Sequence, residues 1–115
     1  MQLERRRTEW QVVKGLCRGL TDPPWQPLWV EVAPLRPEDF THADLGWVFT
    51  ILNMFHHEPA RLAAGLPVAL RNELAAAGLG GFSVEGLLSP VPTDLGLPEL
   101  IEEVRGLLRL CARSL

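Results

Sequence analysis

The chain has no tyrosine, a single lysine and two cysteines in 115 residues, and it nowhere approaches the roughly 20 consecutive apolar residues that cross a bilayer. A transmembrane helix is therefore not expected. Met1 to Arg7 leads into no apolar signal-peptide core, so the expected location is cytoplasmic. Cys17 and Cys111, 94 positions apart, make no disulfide framework; they read as small buried residues in a reducing compartment, with one disulfide between them as the alternative. An excess of one charge is also lacking: eleven basic and fourteen acidic side chains leave a net charge of −3, too little field to draw a nucleic-acid backbone. Lys14 stands alone among arginines, a bias that reads as the base composition of a GC-rich genome. No repeat, low-complexity stretch or linker divides the sequence, so one domain over residues 1–115 is expected.

What is present is the composition of a folded protein, 47% hydrophobic and 22% charged. Ten prolines and ten glycines are spread along the chain, which predicts short helices joined by rigid corners. Leu3, Trp10, Val13, Cys17 and Leu20 recur at helical spacing, with Arg7, Gln11, Lys14 and Arg18 on another side, so a first helix spans Leu3 to Leu20. Gly15 and Gly19 weaken it, and "TDPPWQP" ends it. In "LWVEVAPL", Leu28, Val30 and Val32 alternate with Trp29, Glu31 and Ala33, the pattern of a strand.

The segment "LGWVFTILNMF", Leu45 to Phe55, is apolar or glycine at nine of eleven positions. Read as a helix from Thr41 to His57, it places Leu45, Val48, Phe49, Ile51, Leu52 and Phe55 within an arc of about 160°, which Trp47 and Met54 widen to about 220°. Such an arc suits a central helix packed on several sides, or one partly covered by another chain. A buried strand over Trp47 to Leu52, paired with Leu28 to Ala33, fits the same residues. Further on, a helical turn is expected at Pro59 to Ala64 and a helix from Pro67 to Ala77 closed by Gly78. Another turn starts at Ser83, and a last helix runs from Pro98 with Leu100, Ile101, Val104, Leu107, Leu108 and Cys111 on one face. The fold class expected is mainly α, a compact bundle of four or five short helices; the alternative is α+β with a small two-stranded sheet.

The candidate chemistry is sparse. His56, His57 and Glu58 are consecutive, yet adjacent helical residues point about 100° apart, and His42 on the same helix would lie about 21 Å from His56. No zinc set of recognised spacing exists, so neither a metal nor a cofactor is expected. Ser83 in "GFSVEG" lacks the first glycine of a nucleophile elbow and reads as a helix cap. "LRNELAAAGLGGFSVEGLL" has the outline of a helix-turn-helix, but no basic residue occurs between Arg71 and Arg105. Arg5, Arg6, Arg7, Lys14 and Arg18 form the main basic concentration, a candidate surface for an acidic partner or a plain solvated face. Trp25 and Trp29 lie at a proline-rich corner, and Trp47 and Met54 edge the apolar arc; these four are the candidate partner-binding residues. The sequence thus points to a non-enzymatic binding or adaptor protein whose partner is another protein or a second copy of itself. A helix-turn-helix regulator is the alternative, and a small enzyme using His56 or His57 comes behind it.

Overall fold

A computed structural model describes residues 2–112, with side chains described from 5 to 110. Six α-helices follow one another: α1 (Gln2–Thr21), α2 (Pro27–Glu31), α3 (Ala43–His57), α4 (Leu66–Ala76), α5 (Val84–Leu88) and α6 (Leu97–Ala112). Three 3-10 turns, Pro23–Trp25, Pro37–Asp39 and Pro59–Leu62, link them, and no strand occurs among the described residues. The protein is a mainly α bundle. Prolines begin these pieces more than they break them: each 3-10 turn, α2 and α4 has proline in its first two positions, where a missing N–H costs nothing and the fixed φ favours the turn.

The strand expected at Leu28 to Ala33 is α2 and the irregular turn after it. Leu28, Trp29, Val32 and Leu35 are buried while Val30 is 74% exposed, a helical spacing and not an alternating one. With Trp47 to Leu52 inside α3, the segment has no strand to pair with, and Pro27 starts a helical turn that burial against α1 completes.

The element surrounded on most sides is α1, not α3. It touches α2, α3, α5, α6 and the Pro23–Trp25 turn, and from Glu9 to Gly19 every residue except Trp10 and Arg18 is buried. Its glycines are where neighbours come closest. A Cβ on Gly15 would collide with Leu100 of α6 and Leu28 of α2, and one on Gly19 would lie 2.9 Å from the Trp29 ring. These two residues lower helix propensity by about 1 kcal/mol each, but they let two helices lie directly on α1.

In α3 the 160° arc is the buried face: Leu45, Val48, Phe49, Ile51, Leu52 and Phe55 all belong to the core. Trp47 and Met54, which widened the arc, stand at its edge, 55% exposed and half-buried respectively. The chain then reverses through α4, which ends in a Schellman motif: Gly78 has φ +80, the Leu79 N–H donates to the Leu74 carbonyl at 2.7 Å and the Gly78 N–H to Ala75 at 3.1 Å. Ser83 caps α5, its hydroxyl oxygen accepting from the Gly86 N–H at 2.9 Å. On α6, Leu100, Val104 and Leu107 are buried as their spacing requires; the Cys111 side chain and Arg113 lie outside the described residues.

Candidate functional site

The four candidate partner-binding residues separate into distinct environments. Trp29 is 4% exposed, its pyrrole edge held against Gly19 and its ring stacked on His56 at 4.3 Å and 2°. It is core in this chain. Trp25 is half-buried, with the Arg18 guanidinium 4.2 Å over its ring, so one face is already covered by a cation–π contact. Met54 packs against the core from α3. Trp47 alone of the four is more than half exposed.

Trp47 forms a wall of an open groove of about 500 Å³ between the Pro37–Asp39 turn and α3. Pro37 and Phe40 line one side, and Ala43, Gly46 and Thr50 the other, with Glu38 also at the groove. The turn lies so close to α3 that a Cβ on Gly46 would stand 2.8 Å from the Pro37 carbonyl oxygen; glycine there lets the turn close against the helix. Phe40 fixes it further, its ring 5.1 Å from that of Phe49.

Polar groups from α1 hold the groove's rim. Glu9 is 1% exposed, and its carboxylate accepts from Arg5 Nε at 2.9 Å, from the Thr41 N–H at 2.9 Å and hydroxyl at 2.7 Å, and from the His42 N–H at 3.4 Å. This carboxylate receives N–H groups just ahead of α3, where His42 at the N-cap makes no side-chain cap, and Asp44 supplies the acidic residue of the first turn. Arg6 adds a two-pronged contact to Asp44, at 3.1 and 3.4 Å. The guanidinium hydrogen bonds outweigh desolvation and hold the Asp44 carboxyl below the usual aspartate value.

Most of the basic residues singled out in the sequence have partners within the chain. Arg5 is taken by Glu9 and the Asp39 carbonyl, Arg6 by Asp44, and Arg18 by Trp25 and Asp22. Lys14 is buried and donates to Asp94 at 3.0 Å. Gln11, on the same side, donates to Asp94 at 3.1 Å and accepts from the Leu95 N–H at 3.0 Å. Although burial alone raises it, hydrogen bonds from the Val91 N–H, Lys14 and Gln11 hold the Asp94 carboxyl below its ordinary value. Of the five basic residues, Arg7 is exposed and makes no ion pair among the described residues.

The remaining constellations have simple geometries. His56 lines a second, apolar hollow of about 700 Å³ with Leu20, Val30, Phe55 and Leu62 over Trp29. Desolvation, with the neighbouring His57, holds its imidazole below the ordinary value, and among the described residues neither a carboxylate nor a thiol lines that hollow. The Trp29 indole N–H, buried beside it, has no hydrogen-bond partner among the described residues. No cluster of three or more potential metal-ligating side chains occurs among the described residues. In the helix-turn-helix outline, α5 has five residues, and its Glu85 faces Arg71 at 3.5 Å. Cys17 is a free buried thiol, pushed up to about 12 by desolvation.

Sequence reasoning found the Trp47 wall but missed the other walls and the buried Glu9. Ala43, Trp47 and Thr50 at helical spacing were a usable signal for one wall. The approach of Pro37 to Gly46 was not, because contacts between a turn and a helix leave no periodic trace. No protein-family model matches this sequence, and neither does any curated protein or any solved structure.

Proposed function

We propose that this chain is a non-enzymatic protein-binding module that acts through the groove beside Trp47, in the cytoplasmic setting expected from its composition. The observation that carries the reading is a large aromatic, 55% exposed, on the wall of an apolar groove of about 500 Å³. Tryptophan is the residue most enriched at binding hot spots, and a hollow beside it offers a partner side chain a desolvated seat. Two features support its use for docking. The groove is built on α3, whose start is pinned by Glu9 and by the Arg6–Asp44 pair, so little ordering remains to be done on binding. Its two wall hydroxyls are already satisfied, Thr50 Oγ1 donating to the Gly46 carbonyl at 3.0 Å and Thr41 Oγ1 to the Glu9 carboxylate at 2.7 Å, so an apolar partner strands no hydroxyl donor there.

The test is site-specific photocrosslinking with p-benzoylphenylalanine in place of Trp47, in the cells that make the protein. A discrete adduct is expected at that position and not at Val91, which is 47% exposed elsewhere. Thr50→Arg, which fills the groove, should suppress the adduct, while Val68→Arg on α4 should not. No adduct at position 47, or one indifferent to Thr50→Arg, overturns the reading.

A further inference from the structure

The polar groups of the groove beside Trp47 are of one kind. Its oxygen-bearing side chains are Glu38, Thr41 and Thr50. The two hydroxyls spend their protons inside the chain, Thr41 on the Glu9 carboxylate at 2.7 Å and Thr50 on the Gly46 carbonyl at 3.0 Å, so what they present to the groove is lone pairs. Glu38 is an exposed carboxylate with no ion pair among the described residues. Arg36, the cation nearest to it in sequence, neither lines the groove nor pairs with it. Acceptors beside an exposed indole suit a cation that carries several donors and lies flat on a ring, and arginine has both properties where lysine has only a compact, strongly hydrated charge. The fold already contains this arrangement once. At the end of α1 the Arg18 guanidinium lies 4.2 Å over the Trp25 ring while the Asp22 carboxylate pairs with it at 3.7 Å. Trp47 and Glu38 bring the same two groups to one groove, and no guanidinium of the described residues lies over Trp47.

We propose that the groove takes an arginine side chain borne on a basic segment of another protein, the guanidinium stacked on Trp47 and hydrogen-bonded to Glu38 while the methylene stem lies along Pro37 and Phe40. This rests on the groove being a protein-binding surface and names the chemistry of what binds there. The net charge of −3 favours the approach of a basic partner. One exposed ring contact and one rim ion pair each contribute about three- to fivefold in affinity, so an isolated arginine binds in the millimolar range and the rest of the partner's surface supplies the remainder.

A magnetic resonance titration of the full isotope-labelled chain with the capped peptide acetyl-Gly-Arg-Gly-amide, at low ionic strength, tests this. The Trp47 indole and Thr50 amide signals should move saturably, and the indole signal of Trp25, whose ring Arg18 already covers, should not. The citrulline peptide keeps the shape and loses the charge, and the lysine peptide keeps the charge and loses the planar fork; both should bind at least about threefold more weakly. Glu38→Gln and Trp47→Leu, both at exposed positions, should each weaken the arginine peptide about three- to fivefold with an unchanged circular dichroism spectrum. Groove signals that stay still, equal binding of the arginine and citrulline peptides, or binding indifferent to Glu38→Gln overturns arginine as the occupant. If any of these is found while position 47 still gives a Thr50→Arg-sensitive adduct, arginine alone is overturned; if position 47 gives no adduct either, the binding reading falls with it.

Discussion

Replacing Glu9 with alanine should destabilise the protein more than any exposed charge substitution, and its effect should begin at the first turn of α3. The carboxylate is 1% exposed and receives the Thr41 N–H and hydroxyl at 2.9 and 2.7 Å, together with Arg5 at 2.9 Å. Hydrogen bonds to a charged group contribute about 1.5–3 kcal/mol each. Their sum overstates the loss, because Arg5 is a quarter exposed and recovers water, and the hydroxyl can rotate. The Thr41 amide and hydroxyl together therefore set the scale at about 3 kcal/mol, within the range for breaking a buried charged pair. At about 4 °C per kcal/mol for a chain of this size, the melting temperature should fall by about 12 °C. Glu9→Gln retains one acceptor oxygen and should lose about half as much. Thermal and urea unfolding give the magnitude; hydrogen exchange gives the place, with Thr41, His42 and the first amides of α3 losing protection before α6. A loss under about 1 kcal/mol, or exchange that quickens evenly along the chain, would refute the capping role.

Other perturbations probe the rest of the design. Gly19→Ala places a Cβ 2.9 Å from the Trp29 ring and 3.1 Å from the Trp25 carbonyl oxygen; overpacking of about 1–3 kcal/mol should outweigh the helix-propensity gain of about 1 kcal/mol, and a rise in urea midpoint would show that α2 yields freely. Asp94 is held below its ordinary value in the fold, so its stabilisation is complete at neutral pH and is lost as pH falls below about 4, the unfolded value, towards the native one. Asp94→Asn should flatten that acid limb of the stability curve while lowering the neutral plateau; an unchanged limb would remove Asp94 from the account. Cys17, buried with its thiol pushed up to about 12, should react with a thiol reagent in a Cys111→Ser background only as fast as the protein opens. Labelling within seconds of mixing in native buffer would contradict that burial.

The helices that carry regular periodicity were legible from sequence. α6 shows its buried stripe at Leu100, Val104 and Leu107, α4 its proline start and Gly78 stop, and α3 its core arc. Two misreadings share one cause. The Leu28 to Ala33 segment is too short for alternation and helical spacing to be told apart, and burial against α1 decided between them. On α1, a helix packed on nearly all sides, the spacing predicts a polar face at Gln11 and Lys14, although both are buried. Their polarity faces Asp94 and Leu95, 80 to 84 residues away in sequence, and a local window holds no trace of that. The groove was legible only in its Trp47 wall, since Pro37, Glu38 and Phe40 arrive from a turn whose position depends on Gly46 and on Glu9.

The buried polar residues of α1 explain why the most exposed candidate surface depends on the least exposed charge. Packing apolar side chains at these positions would serve stability as well or better, but apolar contact alone cannot fix where an irregular segment lies. Glu9 reaches the Phe40 to His42 bend 32 residues on, and Gln11 and Lys14 reach the loop before α6. Each fixes backbone that no helix ladder supports, and a directional hydrogen bond specifies position where hydrophobic burial does not. One of these two segments carries Pro37, Glu38 and Phe40 to the face of α3. The groove beside Trp47 is therefore set from inside the molecule. A change at Glu9, which does not line the groove, alters its shape and with it any binding at Trp47, whereas a change at Lys14 leaves it intact.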